Sequence, residues 1–195
     1  MMEHIWQNTD MCISNCTGNM FSFWNLYRDA IENCRDNGLV IEVGIWTGTS
    51  LSCLIVEALN SGKNIRVYGV DAFGGNIHNH KGQCGPWQMD TMTRNLIPIW
   101  EYVRLVKAMS VEAAAMFKDA DMVFIDADHS YEAVCADLEA WYPVVRKGGI
   151  FAGHDIHYVD VRRAVDEFAQ RHGLEVEIYP ESKTSGYGYC WKVIK

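Results

Sequence analysis

The stretch Val40-Ile41-Glu42-Val43-Gly44-Ile45-Trp46-Thr47-Gly48-Thr49-Ser50-Leu51 constrains the fold more than any other part of the chain. A short apolar run enters an acid, two glycines and then a helix start, which is the pattern of a strand, a tight turn and a crossover helix. Such a unit belongs to a parallel sheet. Glycines at 44 and 48 let the backbone turn sharply and approach a ligand closely, and a helix opening at Thr49 and Ser50 aims unpaired N–H groups at it. The central glycine of a dinucleotide-phosphate turn is missing, because Trp46 stands in its place. Glu42, at the end of the strand, repels a phosphate and attracts an ammonium or sulfonium. The pattern points to S-adenosylmethionine rather than a nicotinamide dinucleotide.

A chain of 195 residues that is 49% hydrophobic fills one core. A single domain over 1–195 is expected: an N-terminal segment and helix over 1–37, an α/β core over 38–172 and a terminal hairpin over 173–195. The formal charge of −8, with no block of Lys and Arg, argues against nucleic acid as a partner. No basic stretch followed by an apolar run opens the chain, and nothing approaches the length of a membrane span, so a soluble, cytoplasmic protein with no membrane partner is expected. The seven cysteines (12, 16, 34, 53, 84, 135, 190) contain no C-x-x-C pair and read as reduced thiols.

Periodicity sets out the remaining elements. Trp24, Tyr27, Ile31 and Cys34 form a helical stripe within 21–37, closed by Gly38 as a C′ glycine. Leu39 to Val43 is a strand. Leu51, Leu54, Ile55, Ala58 and Leu59 mark a helix ended by Ser61-Gly62, followed by a strand from Ile65 to Val70. Val103 to Val106 reads as a strand before a short helix with Ser110 as N-cap, and Met122 to Ile125 as another strand. Val134, Leu138, Trp141 and Val145 predict a helix running to Lys147-Gly148-Gly149, after which Ile150 to Ala152 returns as a strand. Val161, Val165 and Phe168 give a last helix before Gly173. Leu174 to Tyr179 and Tyr187 to Ile194, with no helix between, must pair antiparallel. The fold class is α/β: a doubly wound, Rossmann-like sheet, mostly parallel, with a reversed last strand. Met11 to Phe23 and Phe73 to Trp100 are expected to rim the substrate pocket with Trp87, Met89, Met92 and Trp100. Met89, Met92 and Leu96 read in the first place as the core face of a helix, and His78 and His80 as solvent-exposed or substrate-lining loop residues.

Ligands of doubly wound sheets sit outside the carboxyl ends of the strands, so acids there carry weight. Asp71 closes one strand, where its carboxylate can accept both hydroxyls of an adenosine ribose. Asp126 and Asp128 close the next apolar strand, and His154-Asp155 the one after it. Asp126, His154 and Asp155 thus converge on one crevice, with His129 close by and Asp128 as a cap for the helix beginning at Tyr131. Converging carboxylates need a cation, a proton or a cationic substrate group. Oxygen ligands suit Mg²⁺, Ca²⁺ or Mn²⁺, and the imidazole tilts the choice toward Mn²⁺ or another transition ion.

Glu42-Val43-Gly44…Gly48-Thr49-Ser50, Asp71-Ala72-Phe73, Phe124-Ile125-Asp126-Ala127-Asp128-His129-Ser130-Tyr131 and Gly148-Gly149-Ile150-Phe151-Ala152-Gly153-His154-Asp155 together resemble class I S-adenosylmethionine-dependent methyltransferases. The nearest subgroup is the small O-methyltransferase-like family with a D-x-D-H-x-Y signature, related to the catechol and caffeoyl-CoA types. The resemblance covers roughly residues 38 to 172 and implies a seven-stranded sheet. It implies that Glu42 organises the methionine amino group, that Gly44 and Gly48 admit the amino acid part, that Asp71 holds the ribose and that Ser110 lies near the adenine. It further implies divalent-metal ligation through Asp126 and the position of His154-Asp155, where the family pattern has Asp-Asn.

The reading is an O-methyltransferase acting on a hydroxyl of a small molecule or sugar, with Asp126, His129 and Asp155 as catalytic residues and His129 as a candidate base. The amine-methylating motif [ND]-P-P-[YFW] is absent, since the prolines at 86, 98, 143 and 180 are isolated. Three alternatives stay open: a non-catalytic cofactor-binding module, hydroxylase-like chemistry on the same scaffold, and an NAD-linked enzyme. A homo-oligomer is left open as a way to complete the pocket.

Overall fold

The computed structural model describes residues 1–5, 8, 9, 21, 23–73, 86–179 and 189–195. Its strands are β1 (Leu39–Val43), β2 (Arg66–Asp71), β3 (Leu105–Lys107), β4 (Ala120–Ile125), β5 (Val145–Gly153), β6 (Glu177–Tyr179) and β7 (Cys190–Ile194). All seven lie in one sheet, in the order β3-β2-β1-β4-β5-β7-β6. The first five pair in parallel, and β7 runs antiparallel between β5 and β6. The expected doubly wound sheet with a reversed last strand is the observed one.

Among the described residues six α-helices accompany the sheet: α1 (Trp24–Asn33) before β1, then α2 (Thr49–Asn60), α3 (Pro86–Leu96), α4 (Ser110–Ala114), α5 (Tyr131–Trp141) and α6 (Val159–His172). Leu26, Tyr27 and Ile31 of α1 pack with Leu51 and Leu54 of α2 against Val40 and Phe124 on one face. Leu138 and Trp141 of α5 pack with Val165 and Phe168 of α6 against Ile41, Val43 and Phe151 on the other. Every residue of β1 and β4 is buried. Covering on both faces explains why these strands read as continuous apolar runs rather than alternating ones. From β1 the chain winds outward through β2 and β3, then returns to β4 and β5 on the other side. The crevice between the carboxyl ends of β1 and β4 is therefore the topological switch point.

Several local expectations change. The helix expected to reach Val145 ends at Trp141, because Pro143 has no N–H to continue it, and Val145 opens β5. Gly38 is not a left-handed cap; Asn37 takes the positive φ of 58°, and a side chain at 38 would run into Cys34 and Asp121. Ser110 is not a side-chain cap of α4; its hydroxyl accepts the Trp141 Nε1 proton at 2.9 Å. On α3 the buried side chains are Gln88, Thr91, Met92, Asn95 and Leu96, while Met89 is exposed, so that face is amphiphilic rather than apolar. Asp128 accepts the Ser130 amide at 2.7 Å, closing the turn that leads into α5. Among the described residues, Cys34, Cys53, Cys135 and Cys190 are in no disulfide. Cys12, Cys16, Cys84, His78, His80 and most of the expected rim at 11–23 and 73–85 lie outside the described residues.

At the amino end of the sheet, Asp121 sits inside the apolar run of β4 with 4% exposure. It accepts Arg35 Nε at 2.8 Å, Arg146 Nε at 2.7 Å and the Leu39 amide at 3.1 Å, tying β4 to the α1–β1 link and to β5. Burial works against its ionisation, but the two guanidinium groups and the amides outweigh it and hold its pKa at about 2. A carboxylate depressed on folding adds stability above its unfolded pKa of about 3.9, and that stability is lost as the pH falls through the folded value. Between about pH 4 and pH 2 the protein should lose stability, and Asp121→Asn should flatten the pH dependence in that window. At pH 7 the variant should be less stable by about 1–3 kcal/mol in urea unfolding.

Candidate functional site

Beyond β1 the chain turns through Gly44 (φ 84°), Trp46 (φ 44°) and Gly48 (φ 75°), and α2 starts at Thr49. A side chain on Gly44 would overlap the Asp126 carbonyl, so this glycine is where the turn presses on the end of β4. Asp71, at the end of β2, holds the turn from the other side. Its Oδ2 accepts the amides of Ile45 at 3.1 Å and Trp46 at 3.0 Å, and its Oδ1 accepts that of Phe73 at 2.7 Å. Burial raises the Asp71 pKa and these donors oppose the rise. Trp46 and Phe73 both occupy left-handed backbone conformations, which cost a side-chain-bearing residue of order 1–3 kcal/mol. The Asp71 carboxylate offsets that strain. From α3, Gln88 Nε2 lies 3.3 Å from the Trp46 carbonyl, and Asn95 Nδ2 donates to the Thr47 carbonyl at 2.8 Å.

Glu42 is fully buried beneath the turn. Its Oε1 accepts the Ser50 hydroxyl, and its Oε2 is buried with no hydrogen-bond partner. Desolvation pushes its pKa up to about 8, against the pull of Ser50 and with a further push from Asp126. The Tyr27 hydroxyl lies toward the same carboxyl and lowers its pKa, without closing a hydrogen bond of standard geometry. A buried acceptor with nothing to accept is costly unless a ligand supplies the donor.

At the ends of β4 and β5 four side chains converge. His129 Nε2 lies 3.0 Å from Asp155 Oδ2 and 3.7 Å from Asp126 Oδ1, and His154 Nδ1 lies 3.3 Å and 3.7 Å from the same two oxygens. One ligand atom from each of Asp126, His154 and Asp155 falls within 4.8 Å of the others. The His154 ring packs on Phe23 at 4.7 Å, and the His129 ring stacks on Tyr158 at 5.2 Å, which fixes both imidazole planes. Asp155 has φ 58°, so the backbone is strained where it delivers its carboxylate. Burial disfavours charge on His129, but Asp126 and Asp155 override it and push its pKa up to about 10. Burial likewise opposes ionisation of Asp126 and Asp155, and the imidazoles hold both below the usual carboxylate range. His129 thus lies between two carboxylates that favour its protonated form.

The structure brings Glu42, Gly44, Gly48, Thr49, Ser50, Asp71, Asp126, His129, His154 and Asp155 to one edge of the sheet. Ser110 stands at the start of α4, beyond β3, with its hydroxyl turned to Trp141 and Asp137. Sequence reading missed Gln88 and Asn95, which read as ordinary polar helix residues, and Tyr27 and Tyr158, which carried no motif. The spacing of Gln88, Thr91 and Asn95 against Met92 and Leu96 was the available signal.

Residues 41–156 match the model of a family described as a methyltransferase domain. No curated protein matches the sequence significantly. Among solved structures, a precorrin-6y C5,15-methyltransferase from Geobacter metallireducens is 17% identical with a TM-score of 0.69, covering 96% of this chain and 94% of that one. An S-adenosylmethionine-dependent O-methyltransferase from Thermotoga maritima is 12% identical with a TM-score of 0.69, covering 100% and 71%. An O-methyltransferase from Bacillus cereus, solved with SAH, is 16% identical with a TM-score of 0.65, covering 94% and 84%. At these identities the likeness is one of fold.

Because Gly44 combines a positive φ with contact against the Asp126 backbone, Gly44→Ala should destabilise the protein by about 3 kcal/mol or more. Urea unfolding measures this, and a loss below about 1 kcal/mol would mean that the turn is not wedged against β4.

Proposed function

We infer that this chain, which belongs to the methyltransferase-domain family and is an S-adenosylmethionine-dependent methyltransferase, methylates a hydroxyl oxygen on a small molecule. The observation that carries the reading is the meeting of Asp126, His129, His154 and Asp155 at the strand ends that flank Glu42. The orphaned Glu42 Oε2 suits the donor's amino group, and the Gly44 turn suits close approach of its amino acid part. In this reading Gly48, Thr49 and Ser50 line the methionine end and Asp126 borders the donor. Asp71 holds the turn and offers the remaining lone pair of Oδ1 to the ribose. Ser110 borders the adenine through the wall it forms with Trp141. The signature Asp126-Ala127-Asp128-His129-Ser130-Tyr131 and the lack of an amine-methylating motif favour oxygen as the acceptor atom.

Methyl transfer is an in-line displacement, so most of the protein's contribution is alignment and charge. The bound donor supplies a methyl group activated by its sulfonium. Asp126 and Asp155 accept hydrogen bonds from the acceptor hydroxyl and orient its lone pair, and one of them takes the proton as the new C–O bond forms. His129, held between them, keeps both carboxylates ionised and in place for that proton. The donor set of Asp126, His154 and Asp155 also fits a divalent cation such as Mg²⁺, Mn²⁺ or Ca²⁺, which would contribute Lewis acidity to the acceptor oxygen. The partner in this reading is a small hydroxyl acceptor, with no nucleic acid and no membrane. Among the described residues no helix is long and apolar enough to cross a membrane.

Glu42→Gln should weaken S-adenosylmethionine binding by about 1–3 kcal/mol in calorimetry. It should not lower the melting temperature, since a buried carboxyl whose pKa is raised on folding costs stability above its unfolded pKa. Asp126→Asn and Asp155→Asn should each cut turnover about 10²–10⁴-fold on a panel of phenol, catechol and sugar acceptors, with donor affinity nearly unchanged. Chelation with EDTA should reduce turnover about 100-fold, restored by Mg²⁺, Mn²⁺ or Ca²⁺. Full activity after rigorous chelation would remove the cation and leave His129 as the positive charge of the site.

A further inference from the structure

Met2, His4 and Thr9 lie along the outside of α2 in the order opposite to its own direction. The Met2 amide donates to Asn60 Oδ1 at 2.6 Å and Asn60 Nδ2 returns a bond to the Met2 carbonyl at 2.9 Å. At the other end of the helix, Thr9 Oγ1 donates to Thr49 Oγ1 at 2.9 Å. Between these attachments, His4 faces Cys53 and Glu57, which are four residues apart and share one face of α2. His4 Nε2 lies 3.1 Å from Glu57 Oε1, and one ligand atom from each of the three residues falls within 4.8 Å of the others. Cys53 is fully buried, the Glu57 side chain is 11% exposed, and His4 Nδ1 is buried with no hydrogen-bond partner. Arg28 Nε approaches the same Glu57 Oε1 at 3.3 Å, so both neighbours of this carboxylate use one of its two oxygens.

An imidazole, a thiol and a carboxylate meeting in a sheltered place form an unusual group for packing alone. The carboxylate has its arginine, but the thiol adds nothing to that ion pair and one imidazole nitrogen is left without a partner. We propose that His4, Cys53 and Glu57 form a second site, separate from the strand-end cluster, for a borderline divalent cation of the Zn²⁺ type. Hard cations such as Mg²⁺ and Ca²⁺ need a shell of oxygens, whereas sulfur and nitrogen donors together select Zn²⁺ and its neighbours. Three protein ligands leave one tetrahedral position for water. On binding, a sulfur–metal bond replaces the Cys53 S–H bond and the proton passes to water. Glu57 turns part of its charge from Arg28 to the cation. The site then clamps the N-terminal residues onto α2, whose first turn carries Thr49.

Cobalt(II) reports thiolate ligation by a near-ultraviolet charge-transfer band, which an all-oxygen and imidazole site does not give. The full chain, stripped with chelator, should take up one equivalent of Co²⁺ with that band, and Zn²⁺ should displace it. Cys53→Ser should abolish the band. His4→Ala, which alters a partly exposed residue outside the core, should weaken Zn²⁺ binding about 10- to 100-fold while circular dichroism shows the fold intact. Asp126→Asn with Asp155→Asn should leave the band unchanged, which separates this site from the strand-end cluster. No saturable band, a band that survives Cys53→Ser, or unchanged Zn²⁺ affinity in His4→Ala would each overturn the proposal.

Discussion

Burial of the central strands on both faces is the constraint on which the rest of the structure depends. Every residue of β1 and β4 is buried, so a polar group in them meets little water at either face and must find its partner within the protein. The two ends of the sheet meet this demand in opposite ways. At the amino end, Asp121 receives two guanidinium groups and two amides and stays ionised far into acid. At the carboxyl end, Glu42 keeps an unpartnered oxygen and feels the charges of Asp71 and Asp126, and Asp126 in turn feels that of Asp155. One end is an electrostatically closed joint; the other is left open for a ligand to complete.

The open end also carries backbone strain. Trp46, Phe73 and Asp155 all have positive φ, and each stands at a turn leaving a strand. Asp71 compensates two of them by accepting their amides, so a single carboxylate shapes the glycine turn. The α3 amides of Gln88 and Asn95 add a second hold on the same turn. A turn over-determined in this way is already arranged for a ligand, and binding need not order it again.

How far this could be read in advance differs from residue to residue. The strand–turn–helix unit at 39–60 was visible because local rules agree: apolar run, glycines of positive φ and a helix start. The acids at 71, 126 and 155 were visible because strand ends in doubly wound sheets face the ligand crevice. The end of α5 was misread because Val145 continues a helical period that Pro143 interrupts. Asp121 was passed over because an acid within a strand announces nothing until Arg35 and Arg146 are seen beside it. The meeting of Asp126, Asp155 and His129 at one crevice was legible from the strand ends, but not how close the imidazole comes to each carboxylate, 3.0 Å to Asp155 and 3.7 Å to Asp126.

By itself the sequence determined the alternation of strands and helices, the reversed last strand and the identity of the acids at the carboxyl edge. These depend on hydrophobic period, turn chemistry and the handedness of crossover connections, all of which act over short stretches of chain. Only the tertiary structure decided the distances of His129 from its two carboxylates, the orphaned oxygen of Glu42, the commitment of Asp71 to the turn and the meeting of His4 with Cys53 and Glu57. Each of these is a property of distance and desolvation between groups far apart in the chain, and neither quantity exists until the chain has folded.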